Sequence, residues 1–115
     1  MKIKSIAALT ATLALTGCLN VGTPVSQITG AYVSPLKYDG STCEQLVVES
    51  SSLARRYNVL TAAQEQRVSS NKTTAFWLGS GNGDGIEASE LATVMGETEA
   101  VRTAMETKDC RKEVK

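Results

Sequence analysis

Four glycines in seven residues, Gly79-Ser80-Gly81-Asn82-Gly83-Asp84-Gly85, interrupt a chain that carries helical periodicity on both sides. Glycine loses the most backbone freedom on folding, so this run cannot sustain a helix. Upstream, Cys43, Leu46, Ser50, Leu53, Tyr57, Leu60, Gln64 and Arg67 recur at alternating three- and four-residue steps. That spacing places them on one face of a long helix with heptad character. Two overlapping capping boxes, Ser41 with Glu44 and Thr42 with Gln45, mark its start. The polar Ser69-Ser70-Asn71-Lys72 stretch predicts that the helix weakens there, leaving Ser70 to Asp84 as a connecting tip. Downstream, Leu91, Val94, Thr98, Val101, Met105 and Lys108 form a second seam. Asp84, three residues before Glu87, reads as its N-cap. Two helices joined by a short connection lie antiparallel. The fold class is therefore all-α, an antiparallel, coiled-coil-like two-helix hairpin over residues 41–110.

That geometry assigns two of the three cysteines. Cys43 opens the first helix and Cys110 closes the second, so an antiparallel hairpin brings them to one end and predicts a disulfide. The arms 43–69 and 85–110 match in length, about 40 Å each at ~1.5 Å per residue. The seams offer few large apolar side chains, and a bare hairpin of this size is marginal. A bridge closing a loop of roughly 67 residues contributes about 4 kcal/mol in the chain-entropy model. Gly96, mid-helix, costs ~1 kcal/mol relative to alanine and suggests a close approach.

The third cysteine sits in Leu15-Thr16-Gly17-Cys18, which closes a short apolar run preceded by Lys2 and Lys4. This reads as a lipobox. Residues 1–17 are then a lipoprotein signal peptide, too short in its apolar part to span a bilayer. Cys18 is the expected site of diacylglycerol and palmitate attachment, because thioether formation needs a sulfur nucleophile. Leu19 rather than Asp follows it, which resembles an outer-membrane destination facing the periplasm. Residues 18–40 read as a lipidated N-terminus and tether that could reach roughly 70 Å if fully extended. Within it, the denser Tyr32-Val33-Ser34-Pro35-Leu36-Lys37-Tyr38 piece is expected to pack on the helices. A flexible tether leaves the Cys43/Cys110 end nearest the anchor and points the tip away from the membrane. Residues 111–115 read as a basic tail.

The chain has no histidine, its other thiols are expected to be bonded, and its carboxylates fall on exposed faces. No catalytic constellation assembles, and neither an enzyme nor a cofactor is expected. Removing residues 1–17, which carry Lys2 and Lys4 and no acid, leaves 98 residues with a formal charge of −2, which argues against nucleic acid. Asn82, Asp84, Glu87 and Glu90 form a weak alternative calcium site. The loop register departs from the EF-hand pattern: with Gly85 as the turn glycine, the first ligand position is Ser80 and the bidentate one is Leu91. Phe76, Trp77 and Leu78 are expected to cap the open end of the hairpin as core; if exposed, they are a partner or membrane contact.

From Ala31 onward the chain resembles a family of small uncharacterised proteobacterial lipoproteins. The likeness is carried by Tyr32-Val33-Ser34-Pro35, Tyr38, Cys43-Glu44-Gln45-Leu46, Glu49, Leu60-Thr61 with Gln64, Phe76-Trp77, Glu90-Leu91, Gly96-Glu97, and Lys108 with Cys110, in a family that also has a lipobox. It implies the same hairpin and cysteine pairing and brings no activity. The functional expectation is a membrane-anchored periplasmic lipoprotein acting as a non-enzymatic structural or protein-interaction module, through an envelope partner or self-association. The alternatives are a calcium-responsive module through residues 82–90, and a spanin-like envelope-bridging lipoprotein.

Overall fold

A computed structural model describes residues 19–112. The expected signal peptide over residues 1–17, Cys18 and the last three residues of the basic tail lie outside the described residues. The described chain is helical, with two long helices packed on each other as a hairpin. Helix α1 runs Cys43–Leu78 and helix α2 runs Ile86–Thr107.

Of the two capping boxes, the Thr42/Gln45 pair forms. The Thr42 hydroxyl accepts from the Gln45 amide at 3.2 Å, and the Gln45 side chain accepts from the Thr42 amide at 2.9 Å. At the other end α1 runs nine residues past Ser69 and stops at Gly79, whose φ of 83° and amide bond to the Ala75 carbonyl make a left-handed C-cap. The expected weakening at Ser69 to Lys72 is therefore corrected. Asn71 is buried there and bonded on both faces of its amide, and that tertiary contact outweighs its low helix propensity.

The core follows the leucine row Leu46, Leu53 and Leu60 of α1 against Leu91, Val94 and Val101 of α2. Beyond Leu60 the seam advances through Gln64, Val68, Asn71 and Ala75, so Val68 takes the place predicted for Arg67. A straight helix repeats at 3.6 residues and drifts away from a strict heptad over this length. On α2 the second buried row is Gly96, Ala100 and Ala104 in place of Thr98, while Met105 is partly buried and packs against the core.

Small residues are there because a third layer covers them. Residues 19–42 do not form a free tether: they lie along the hairpin as a strap. A short 3₁₀ turn at Val25–Gln27 contacts α1, and a second at Pro35–Tyr38 contacts α2. Val25, Ile28 and Val33 pack on the core, and Tyr38 is buried in it. The expectation that 32–38 packs holds for Val33 and Tyr38, while Tyr32 and Leu36 stay exposed. The Ala31 amide donates to the Ala92 carbonyl at 2.9 Å. Its own carbonyl lies over Gly96 so closely that a β-carbon there would sit 1.7 Å from the oxygen. Gly96 thus serves a close approach by the strap backbone rather than by α1.

Cys43 and Cys110 are joined by a disulfide, with their Cα atoms 5.4 Å apart. Beside it the Lys108 ammonium donates to the Asp39 carbonyl at 2.7 Å, and Lys37 pairs with Glu97 at 2.9 Å. The strap therefore ends at the disulfide and begins at the opposite end, where the Gly81 amide donates to the Leu19 carbonyl at 2.7 Å. This corrects the expected course of residues 19–42. The described chain starts beside the glycine loop, not beside Cys43.

Candidate functional site

The glycine-loop end is where three segments meet around buried amides. Gln64 is fully buried on α1, and its Nε2 donates to the Thr23 carbonyl at 2.8 Å and to Asp84 Oδ1 at 2.7 Å. Two acceptors on one side fix which way that amide points. One helical stretch further on, Asn71 Nδ2 donates to the Gly83 carbonyl at 2.7 Å and to the Val21 carbonyl at 3.3 Å, while its Oδ1 accepts from the Asn82 amide at 3.1 Å. The Gly83 amide donates to the Asn20 carbonyl at 2.7 Å. Unpaired buried backbone groups are costly, so the two amides are what allow an irregular loop and an irregular strap to share this end.

Asp84 is the third element. It does not cap α2, whose N-cap is Gly85 with no side-chain capping bond. Its carboxylate instead accepts from the Thr23 amide at 2.7 Å and the Thr23 hydroxyl at 2.6 Å. These bonds, with the one from Gln64, engage the carboxylate in place of the cap. Glu87, in the first turn of α2, takes a two-pronged contact from Arg67, Nε to Oε2 at 3.0 Å and NH2 to Oε1 at 3.2 Å. The Thr23 bonds hold Asp84 below its ordinary value of 3.8, and the Arg67 guanidinium holds Glu87 below 4.5.

Depressed carboxylates stabilise the fold above their unfolded pKa and lose that contribution as pH falls through the folded one. The strap end is therefore expected to stay locked at neutral pH and to loosen below about pH 4. Amide exchange at Thr23 followed against pH checks this. Asp84→Asn is expected to exchange faster already at neutral pH and to show a much smaller acid step; an unchanged acid step contradicts the assignment.

The weak calcium set is not brought together. Asp84 faces Thr23 and Gln64, Glu87 faces Arg67, and Glu90 lines a surface hollow with Arg55, Arg56 and Val59. Asn82 is tied through its amide to Asn71. Among the described residues no group of three or more His, Cys, Asp or Glu side chains is placed to hold a metal ion.

Phe76, Trp77 and Leu78 are exposed at 79, 76 and 79%, which corrects the expectation of a core cap. Ala75 is the last buried residue of α1. Three consecutive helical positions spread over roughly 200° of the circumference, more than packing against one neighbouring helix can cover. The Phe76 and Trp77 rings meet edge to face at 5.2 Å. They sit on the last turn before Gly79, at the end where Leu19 is held and is itself exposed. Among the described residues no helix is long and apolar enough to cross a membrane.

The strap's course and the Thr23 and Val21 contacts left no mark that sequence reasoning uses, because the partners lie far away in the chain and the segment has no period. Gly96 was the one available signal of a close approach. Compared with known protein families, curated proteins and solved structures, the chain matches none.

Proposed function

We propose that this chain is a lipid-anchored protein of the bacterial cell envelope, cut before Cys18 and acylated there, whose strapped hairpin is a non-enzymatic structural or protein-interaction module. The observation that supports this reading best is the cysteine arrangement. Cys43 and Cys110 are bonded to each other, as suits an oxidising compartment, which leaves Cys18, in its Leu-Thr-Gly-Cys setting, as the thiol free for modification. The resemblance to small proteobacterial lipoproteins points the same way, and Leu19 after the cysteine favours the outer membrane with the hairpin on the periplasmic side.

Palmitate labelling and intact mass of the protein recovered from membranes test the reading. The wild-type chain is expected to begin at Cys18 and carry acyl mass on it. Cys18→Ser is expected to abolish labelling and move the protein to the soluble fraction. Labelling that survives Cys18→Ser, or a chain cleaved elsewhere, contradicts it.

A further inference from the structure

We propose that the Phe76-Trp77-Leu78 end of the hairpin inserts into the interfacial layer of the same bilayer that holds acylated Cys18, so that the Cys43–Cys110 end points outward. This deepens the lipid-anchor reading and rests on it.

The argument begins with covalent reach. Consecutive Cα atoms are ~3.8 Å apart across a trans peptide, so the acyl attachment point can lie only one residue from Leu19. The Leu19 carbonyl is held by the Gly81 amide, and Asn20 is held by Gly83. Between the anchor and the glycine loop there is no slack for a flexible spacer. Whatever surface holds Cys18 lies against the end of the molecule that carries Phe76, Trp77 and Leu78.

That end has the composition of an interfacial contact. Its exposed apolar side chains include Leu19, Phe76, Trp77 and Leu78, and a Trp beside a Phe is suited to the headgroup level, where a ring is half apolar and half wet. Lys72 is the one charged residue between Arg67 and Asp84, and residues 19–36 carry none. A single cation with no carboxylate in that stretch suits an anionic phospholipid surface, since basic residues near such a surface are attracted and acids would be repelled. The nearest acid in the loop, Asp84, is exposed and has its carboxylate engaged by the Thr23 amide and hydroxyl.

An apolar set of this size binds a membrane weakly by itself. Tethered by the neighbouring acyl chains it acts at high effective concentration, so a weak contact suffices to set orientation. α1 has 36 residues, which at ~1.5 Å each stands the disulfide end about 50 Å from the surface.

Trp77 is the sole tryptophan and reports its own environment. The acylated full-length mature protein is reconstituted in phosphatidylethanolamine/phosphatidylglycerol vesicles, with bromines placed on the acyl chains either just below the headgroups or near the bilayer centre. The expected result is a blue-shifted Trp77 emission, most of it lost to the shallow bromines and little of it to aqueous iodide. Val48→Trp in a Trp77→Phe background carries the probe to an exposed position near the disulfide end and is expected to show the reverse. Protein that floats with the vesicles while Trp77 stays open to iodide and blind to bromine overturns the insertion and leaves the anchor standing. Quenching of the Val48→Trp probe in place of Trp77 overturns the orientation. Purified protein with no acyl mass on Cys18 overturns the anchor and this proposal with it.

Discussion

Replacing Cys43 and Cys110 together by serine is expected to remove about 4 kcal/mol of stability. For a domain of this size that corresponds to a fall in Tm of at least about 15 °C. The bond closes 67 residues of sequence separation, so it restrains nearly the whole hairpin in the unfolded chain. It also covers the base of the core, where Cys110, Leu46 and Tyr38 are buried together. The core has little else in reserve: beyond Leu60 the α1 seam turns to Gln64, Val68, Asn71 and Ala75. Far-UV circular dichroism melts of the oxidised wild type, the reduced wild type and the double variant check this. Reduction is expected to reproduce the double variant, and a shift below about 5 °C contradicts the assigned weight of the bond.

Gly96→Ala gives the second large effect, and its sign is diagnostic. In an open helix the substitution stabilises by about 1 kcal/mol through helix propensity. Here the new β-carbon would lie 1.7 Å from the Ala31 carbonyl oxygen and 2.8 Å from its carbon, which is backbone and cannot rotate away. The strap must lift, and overpacking of this kind costs about 1–3 kcal/mol net. The expected result is a lower Tm together with faster proteolysis within residues 24–33. Gly40→Ala serves as the control, because nothing lies within 4 Å of a β-carbon there; it is expected to be neutral or slightly stabilising. A Gly96→Ala protein more stable than wild type contradicts the strap's position.

What was legible in the sequence follows from which interactions are local. The Thr42/Gln45 capping box, the leucine steps of seven and the glycine run are local patterns, and they predict two helices, their antiparallel packing and the pairing of Cys43 with Cys110. Asn71 and Asp84 misled for the opposite reason. Each has a local preference, for leaving a helix and for capping one, and each is overruled by a partner on the strap: Val21 for Asn71 and Thr23 for Asp84. Of the strap only the packing of the 32–38 piece was legible, borne out at Val33 and Tyr38; its course over residues 19–31 was not. It has no helical or strand period, and its bonds go to two loop amides, two side-chain amides, a carboxylate and a helix carbonyl. Phe76 to Leu78 misled through composition, since large apolar residues are usually interior. Once α1 is seen to run straight through them, no neighbouring element remains to bury them.

The strap has a consequence for the order of events during biosynthesis. Its residues are made before the ones they bond to: Thr23 waits 41 residues for Gln64, Val21 waits 50 for Asn71, and Thr23 waits 61 for Asp84. It also docks on both helices, so it finds its place only when the hairpin exists. Closing contacts of such long separation is slow compared with forming helices or hairpins. Until that happens the Leu19 and Asn20 carbonyls lack the Gly81 and Gly83 amides that hold them in the folded chain. Afterwards the Gly81 amide holds the Leu19 carbonyl. The strap is thus the part of the fold that is made first and placed last.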